Sequence, residues 1–248
     1  MSKRVLLTIE YDGSAYCGWQ RQLNGPSVQQ KVEEALFKVT GERIGIIGAS
    51  RTDAGVHALG QRAHFDMGSN IPADKVPFAL NTRLPRDIRV TAGREVDEHF
   101  HARFDAAGKE YGYLIYNRRH PSALLRDLSA HVSVRLDESA MERACRHLPG
   151  THDFAAFQAA GGTAKTTIRR IDSVSVGRQG DEIRLVIYGT AFLYNMVRII
   201  AGTLIAIGLK RLPPDALARG IETRDRLALG PTAPASGLVL EKIWYPGE

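Results

Sequence analysis

The hydrophobic period of this chain switches repeatedly between two and three-and-a-half residues, and that alternation limits the folds open to it. KRVLLTIEYD, residues 3–12, is apolar at every second position, and PSVQQKVEEALFKVTG carries Val28, Val32, Leu36 and Val39 at helical spacing. ERIGIIGAS returns to strand spacing, GQRAHFDM alternates again, PADKVPFALNTRL has helical character, and DIRVTAGREV closes as a strand. The predicted order is β-α-β-β-α-β.

A second pass starts near HARFDAAG. KEYGYLIYN reads as a strand with Tyr111, Tyr113 and Ile115 on one side, and ESAMERACRHL as an amphipathic helix. Residues 166–189 read as a hairpin turning between Gly177 and Gly180, residues 192–209 as one long apolar helix, and LVLEKIWYP as a last strand. The repetition, with no low-complexity linker, predicts an α+β protein of two fused ferredoxin-like (RNP-like) halves, residues 1–105 and 106–248. Each half is an antiparallel sheet backed by helices, and the groove where the halves meet is the expected binding site.

The apolar run FLYNMVRIIAGTLIAIGL is nearly long enough to span a bilayer, but Asn195 and Arg198 lie inside it, and a mid-span Arg is costly in lipid. A buried core helix and no membrane association are expected. Hydrophobic residues make up 44% and charged residues 24%, an ordinary globular composition. A net charge of +6 is a mild bias toward anionic partners such as nucleic acid. Cys17 and Cys145 stand far apart and outside any metal-ligand spacing, which predicts free thiols in a reducing compartment. The first apolar run breaks at Glu10, too soon for a signal peptide, so a cytoplasmic location is expected.

AAGGTAKTT fails as a phosphate loop, because Ala164 precedes Lys165 where that motif needs Gly, and neither GxGxxG nor GxSxG occurs. The stretch GASRTDAGVHALG is more informative. It sets a lone carboxylate, Asp53, between Arg51 and a turn at Gly55, with His57 following. Asp53 falls at a strand end, where functional side chains are often displayed, and the flanking glycines admit another molecule's backbone closely. An Asp so placed also commonly serves only its own turn.

Arg198, inside an apolar helix, must find an acceptor, because an unpaired buried charge costs several kcal/mol. Were that acceptor Asp53, the pair would hold the carboxylate ionised as a nucleophile or base; the spacing equally admits another partner. Tyr111 and Tyr113 beside Lys109 can stack a base or fill core with the hydroxyl at the rim. A metal set of Asp53, His57, His64 and Asp66 can be drawn but follows no established ligand spacing, so no metal is expected.

YDGSAYCGWQRQ, PSVQQKVEEAL, GASRTDAGVHALGQRAHFD, FHARFDAAGKEYGYLIYN, FLYNMVRIIAGTL and GLVLEKIWYP together resemble the TruA family of tRNA pseudouridine synthases, nearly end to end. The resemblance implies isomerisation of uridine to pseudouridine at positions 38, 39 and/or 40 of the tRNA anticodon stem-loop, without cofactor or metal, by a homodimer. It makes Asp53 the catalytic carboxylate and Arg198 its ion-pair partner. It makes Tyr111 the residue that stacks on the flipped uracil, and Arg51 an RNA contact that helps hold the nucleotide out. Ser50 stands where the family motif has a second Gly, and Tyr194 with Asn195 replace a His pair found in some members; none of these is one of the site residues. Arg21, Arg62, Arg118, Arg119, Lys165, Arg169 and Arg170 are candidates to line the RNA path. Two other readings are a non-catalytic RNA-binding module, indifferent to Asp53, and a metal-dependent hydrolase built on Asp53, His57 and His64.

Overall fold

A computed structural model describes residues 2–248, which cluster into two compact units. One unit comprises the chain up to Ala107 together with Leu240–Glu248, and the other comprises Gly108–Val239.

In the first unit the elements follow the predicted order: β1 (Lys3–Tyr11), α1 (Val28–Thr40), β2 (Ile47–Gly48), β3 (His57–Met67), α2 (Val76–Asn81) and β4 (Ile88–Val96). β1 is central. It pairs antiparallel with β3 in the register Val5↔Phe65 and Leu7↔Ala63, and with β4 in the register Val5↔Glu95 and Leu7↔Gly93. β2 pairs with the far side of β3 through Ile47↔His64. β10 (Leu238–Trp244) also neighbours β3, so residues from the end of the chain complete this sheet.

α1 begins where the Ser27 side chain accepts the Gln30 amide hydrogen, and it buries Val28, Val32, Ala35 and Leu36. On β1, Val5, Leu6, Leu7 and Ile9 are buried as well, and burial of such apolar surface is the main driving force for folding. β2 is far shorter than ERIGIIGAS suggested. The backbone of Ile46 is satisfied by helix side chains, its N–H donating to Glu33 at 3.2 Å and its carbonyl accepting from Gln29 at 3.1 Å, so no ladder forms there.

In the second unit β5 (Gly108–Tyr116) pairs antiparallel with β9 (Glu182–Gly189), β9 with β8 (Ile168–Gln179), and β8 with β7 (Gly150–Asp153). A two-residue strand, β6 (Ala130–His131), runs parallel to β5. α3 (Glu138–Cys145), α4 (Met196–Gly208) and α5 (Ala216–Thr223) complete the unit. β6 and β7 are too short to have shown a period, and α5, though as long as α3, is not among the predicted elements. The β8–β9 hairpin turns at Gly180 and Asp181, with Gly180 at φ 61°, while Gly177 sits within the strand opposite Arg184.

The apolar helix is also shorter than its sequence run. It starts at Met196, because Asn195 adopts a left-handed conformation (φ 61°) that a helix cannot contain. Among the described residues no helix is long and apolar enough to cross a membrane. Gly202 is the close-approach point of α4, since a Cβ there would overlap the Pro231 carbonyl oxygen.

His64 on β3 is buried, and its Nδ1 accepts the Ala102 amide hydrogen at 3.1 Å. Burial, then the nearby His101 and Arg4, push its pKa down to about 4. Between that value and the ordinary value near 6.5 the unfolded chain takes up a proton that the folded chain refuses. This contribution is therefore complete above about pH 6.5 and is lost as pH falls toward 4, at up to about 1.4 kcal/mol per pH unit. His64→Asn, which keeps an acceptor for Ala102, should flatten that part of the pH–stability profile in denaturant titrations; an unchanged slope would refute the assignment.

Candidate active site

Asp53 lies in the loop between β2 and β3, and residues 11–19 hold that loop in shape. The hydroxyls of Tyr11 and Thr52 are hydrogen-bonded at 2.7 Å in a buried position. Trp19 donates its amide hydrogen to the Thr52 carbonyl at 3.1 Å, and Gly55 donates to the Tyr16 carbonyl at 3.2 Å. From β3, the fully buried Gln61 bonds both backbone groups of Ser50, its amide donating at 2.7 Å and its carbonyl accepting at 3.2 Å. The Val56 amide closes a turn onto the Asp53 carbonyl at 3.1 Å.

These bonds bury Ser50 and Thr52 while leaving Arg51 exposed and Asp53 half-buried. A carboxylate so placed is reachable yet partly screened from water, and the pinned backbone limits how far it can wander.

Gly18 makes the seating possible. It holds φ 95°, and a Cβ there would collide with the Thr52 carbonyl oxygen and stand 3.0 Å from the Asp53 carbonyl carbon. His57, just past the loop, is buried and accepts the Gly13 amide hydrogen at Nδ1 (3.1 Å), with Asp12 at 3.1 Å from the same nitrogen. Asp66 instead pairs with Arg4 at 2.7 Å. Among the described residues no three His, Cys, Asp or Glu side chains converge as a metal-ligand group. Tyr11, Gly18 and Gln61 had not been singled out as site residues. Tyr11 contributes through a buried hydroxyl, Gly18 through its backbone and Gln61 through a buried side-chain amide, none of which carries motif chemistry of its own.

The second unit carries the other expected site residues. Tyr111 on β5 is buried, with its ring edge-on to Phe192 at 5.1 Å and 81°. Two positions on, the Tyr113 hydroxyl donates to the Pro234 carbonyl at 2.8 Å, and burial pushes its pKa up. Arg198 lies in the first turn of α4. Its Nη1 donates to Asn195 Oδ1 at 2.7 Å and its Nε to the Ala233 carbonyl at 2.9 Å, while the Ala233 amide donates back to the Arg198 carbonyl at 3.0 Å. The left-handed Asn195 thus both starts the helix and fixes the guanidinium plane. Arg51 and Asp53 share one loop of the first unit; Tyr111 and Arg198 belong to the second.

Among the basic residues expected along an RNA path, Arg21 pairs with Glu33, Arg62 with Glu248, Arg118 with Asp181 and Arg170 with Asp172. The arginines of the Arg21, Arg118 and Arg170 pairs are largely exposed, and such pairs contribute about 0–1 kcal/mol, whereas both side chains of the Arg62 pair are mostly buried.

The sequence profile of a family described as tRNA pseudouridine synthase matches residues 7–105 and 144–246, covering both the Asp53 loop and the Arg198 helix. The chain belongs to the tRNA pseudouridine synthase family. It is an isomerase acting on uridine in tRNA. It is 50% identical to tRNA pseudouridine synthase A of Acetivibrio thermocellus, over 98% of this chain and the whole of that protein. Identity to tRNA pseudouridine synthase A of Ruminiclostridium cellulolyticum is 48%, over 98% of this chain and 100% of that one. Identity to tRNA pseudouridine synthase A 2 of Clostridium perfringens is 46%, with the same coverage of each chain.

Gly18→Ala pushes a methyl group into the backbone beside Asp53 and should lower the rate of pseudouridine formation by about a hundredfold. Gly177→Ala, where an added Cβ meets nothing within 4 Å, should leave the rate unchanged. Single-turnover assays with circular dichroism on both variants check this; a normal rate in Gly18→Ala would show that the seating does not govern the loop.

Proposed function

We propose that this isomerase converts uridine to pseudouridine at positions 38, 39 and/or 40 of the tRNA anticodon stem-loop, using Asp53 as its catalytic carboxylate and no cofactor or metal. The observation that carries the proposal is the pinned loop that leaves Asp53 half-buried and Arg51 exposed between buried neighbours. The strand order β4-β1-β3, with β2 outside β3, supports reading the first half as ferredoxin-like. Residues 1–105 would then supply the carboxylate, and residues 106–248 the stacking Tyr and the Arg, in a homodimer with basic clefts for tRNA.

The isomerisation conserves every atom of the nucleotide. The N-glycosidic bond breaks, the uracil turns, and a carbon–carbon glycosidic bond forms from C5, which gives up its proton while N1 takes one. The tasks left to the protein are to take the base out of its stack, at a cost of a few kcal/mol, and to hold the detached ring. Arg51, exposed two residues before Asp53, suits contact with the RNA at the vacated position. Tyr111, braced edge-on by Phe192, suits a fixed wall for the ring and a hydroxyl near the moving protons. Arg198 is the cation that keeps the carboxylate ionised and directed; Asn195 and Ala233 hold its fork.

The test incubates the protein with unmodified tRNA transcript in EDTA and maps pseudouridine by carbodiimide-blocked reverse transcription. The wild type should modify positions 38 to 40, and Asp53→Asn should bind the transcript but leave it unmodified. Activity surviving in Asp53→Asn would remove the carboxylate from the mechanism. A wild type that binds without modifying any uridine would favour a plain RNA-binding module.

A further inference from the structure

The turn His101–Asp105 holds an exposed aromatic ring on a rigid mount. Phe104 is 74% exposed, although a ring of that size gains about 1.5–3 kcal/mol on burial. His101 stacks beneath it with centroids 4.2 Å apart and planes 28° from parallel. His101 meets the buried His64 at 5.0 Å, His64 meets Phe100 at 6.3 Å, and Phe100 packs on the buried Tyr245 at 4.9 Å. The exposed ring is thus the outer end of a ladder of rings that reaches into the core of the first unit.

The backbone is fixed as well. His101 Nδ1 accepts the amide hydrogens of Arg103 and Phe104, both at 3.2 Å, and the Asp105 carboxylate accepts the His101 amide hydrogen at 2.8 Å. A loop with no ligand gains nothing from presenting so large an apolar face on so stiff a support. The exposed Arg103 sets its guanidinium carbon over the ring, 5.7 Å from the centroid, which adds a positive charge beside the exposed aromatic surface.

We propose that Phe104, supported by His101 and flanked by Arg103, is a stacking platform for an unpaired nucleobase of the tRNA, separate from the Asp53 loop. An exposed π-face backed by a second ring takes any base, and the adjacent guanidinium suits the phosphate that follows it. This combination favours RNA over a second copy of the chain, whose contact would need neither the cation nor the open ring face. The proposal rests on tRNA being the substrate.

The test measures tRNA affinity by filter binding, with Asp53→Asn as the parent so that no turnover intervenes. Phe104→Ala should raise Kd about five- to a hundredfold, and Phe104→Trp should restore it to within about twofold. Stacking carries no charge, so Phe104→Ala should leave the dependence of log Kd on log salt unchanged, whereas Arg103→Ala should reduce that slope by about one. Melting temperature and sedimentation should be the same for all variants, as the side chains are exposed. An unchanged Kd in Phe104→Ala overturns the platform, and so does a loss of affinity accompanied by a change in oligomeric mass, which would assign the ring to a contact between copies. Failure of the proposed chemistry would appear separately, as a wild type that leaves tRNA unmodified.

Discussion

The contact between residues 11–19 and the loop of residues 49–56 is the constraint on which the Asp53 loop of the first unit depends. A loop of eight residues between two strands has many conformations, and ordering it costs roughly 1–2 kcal/mol per residue in backbone entropy. The chain offsets that cost with a hydroxyl pair between Tyr11 and Thr52, paired backbone bonds from Gln61 to Ser50, and amide bonds from Trp19 and Gly55. Most of these partners are buried, so each bond is protected from competing water and its loss would strand a polar group. The result is a half-buried carboxylate on a backbone that does not drift.

The second unit solves a related problem by different means. A guanidinium on an apolar helix has a long, flexible stem, and its direction is set only when the fork is bonded. Here the turn ahead of α4 and the segment 230–234 hold it from two sides, and Gly202 lets that segment lie against the helix backbone. The same segment takes the Tyr113 hydroxyl on Pro234, so a strand of the sheet and the first turn of α4 are referenced to one short stretch of chain.

Much of this was legible in the sequence, and the gaps have physical causes. β1, α1, β3, β4, β5, β8, β9 and β10 showed their periods because each buries one face over several residues. Residues 192–195 looked helical because hydropathy cannot register a left-handed Asn195, and β2 looked longer because Glu33 and Gln29 take over hydrogen bonds a ladder would have made. Arg51, Asp53, Tyr111 and Arg198 stand out in the sequence because they carry charge or an aromatic ring in distinctive strings. The seating of the Asp53 loop does not, since a tertiary contact between Gly18 and the distant Thr52 carbonyl leaves no local pattern. The ion pairs of Arg21, Arg62, Arg118 and Arg170 were equally invisible, because exposed partners can come from anywhere in the fold.

One feature of the first unit bears on how the protein is made. Its sheet includes a strand from residues after 240, and its edge residues are tied to the same stretch, with the Ala107 amide on the Trp244 carbonyl at 2.8 Å and the Tyr245 hydroxyl on the Ala102 carbonyl at 2.9 Å. During synthesis, the half that carries Asp53 emerges before residues 240–248, which cover part of the edge of β3. Until then that edge offers unpaired backbone groups to any other strand. The half that emerges second, by contrast, holds β5 to β9 within Gly108–Val239, so those strands can pair with one another before residues 240–248 arrive.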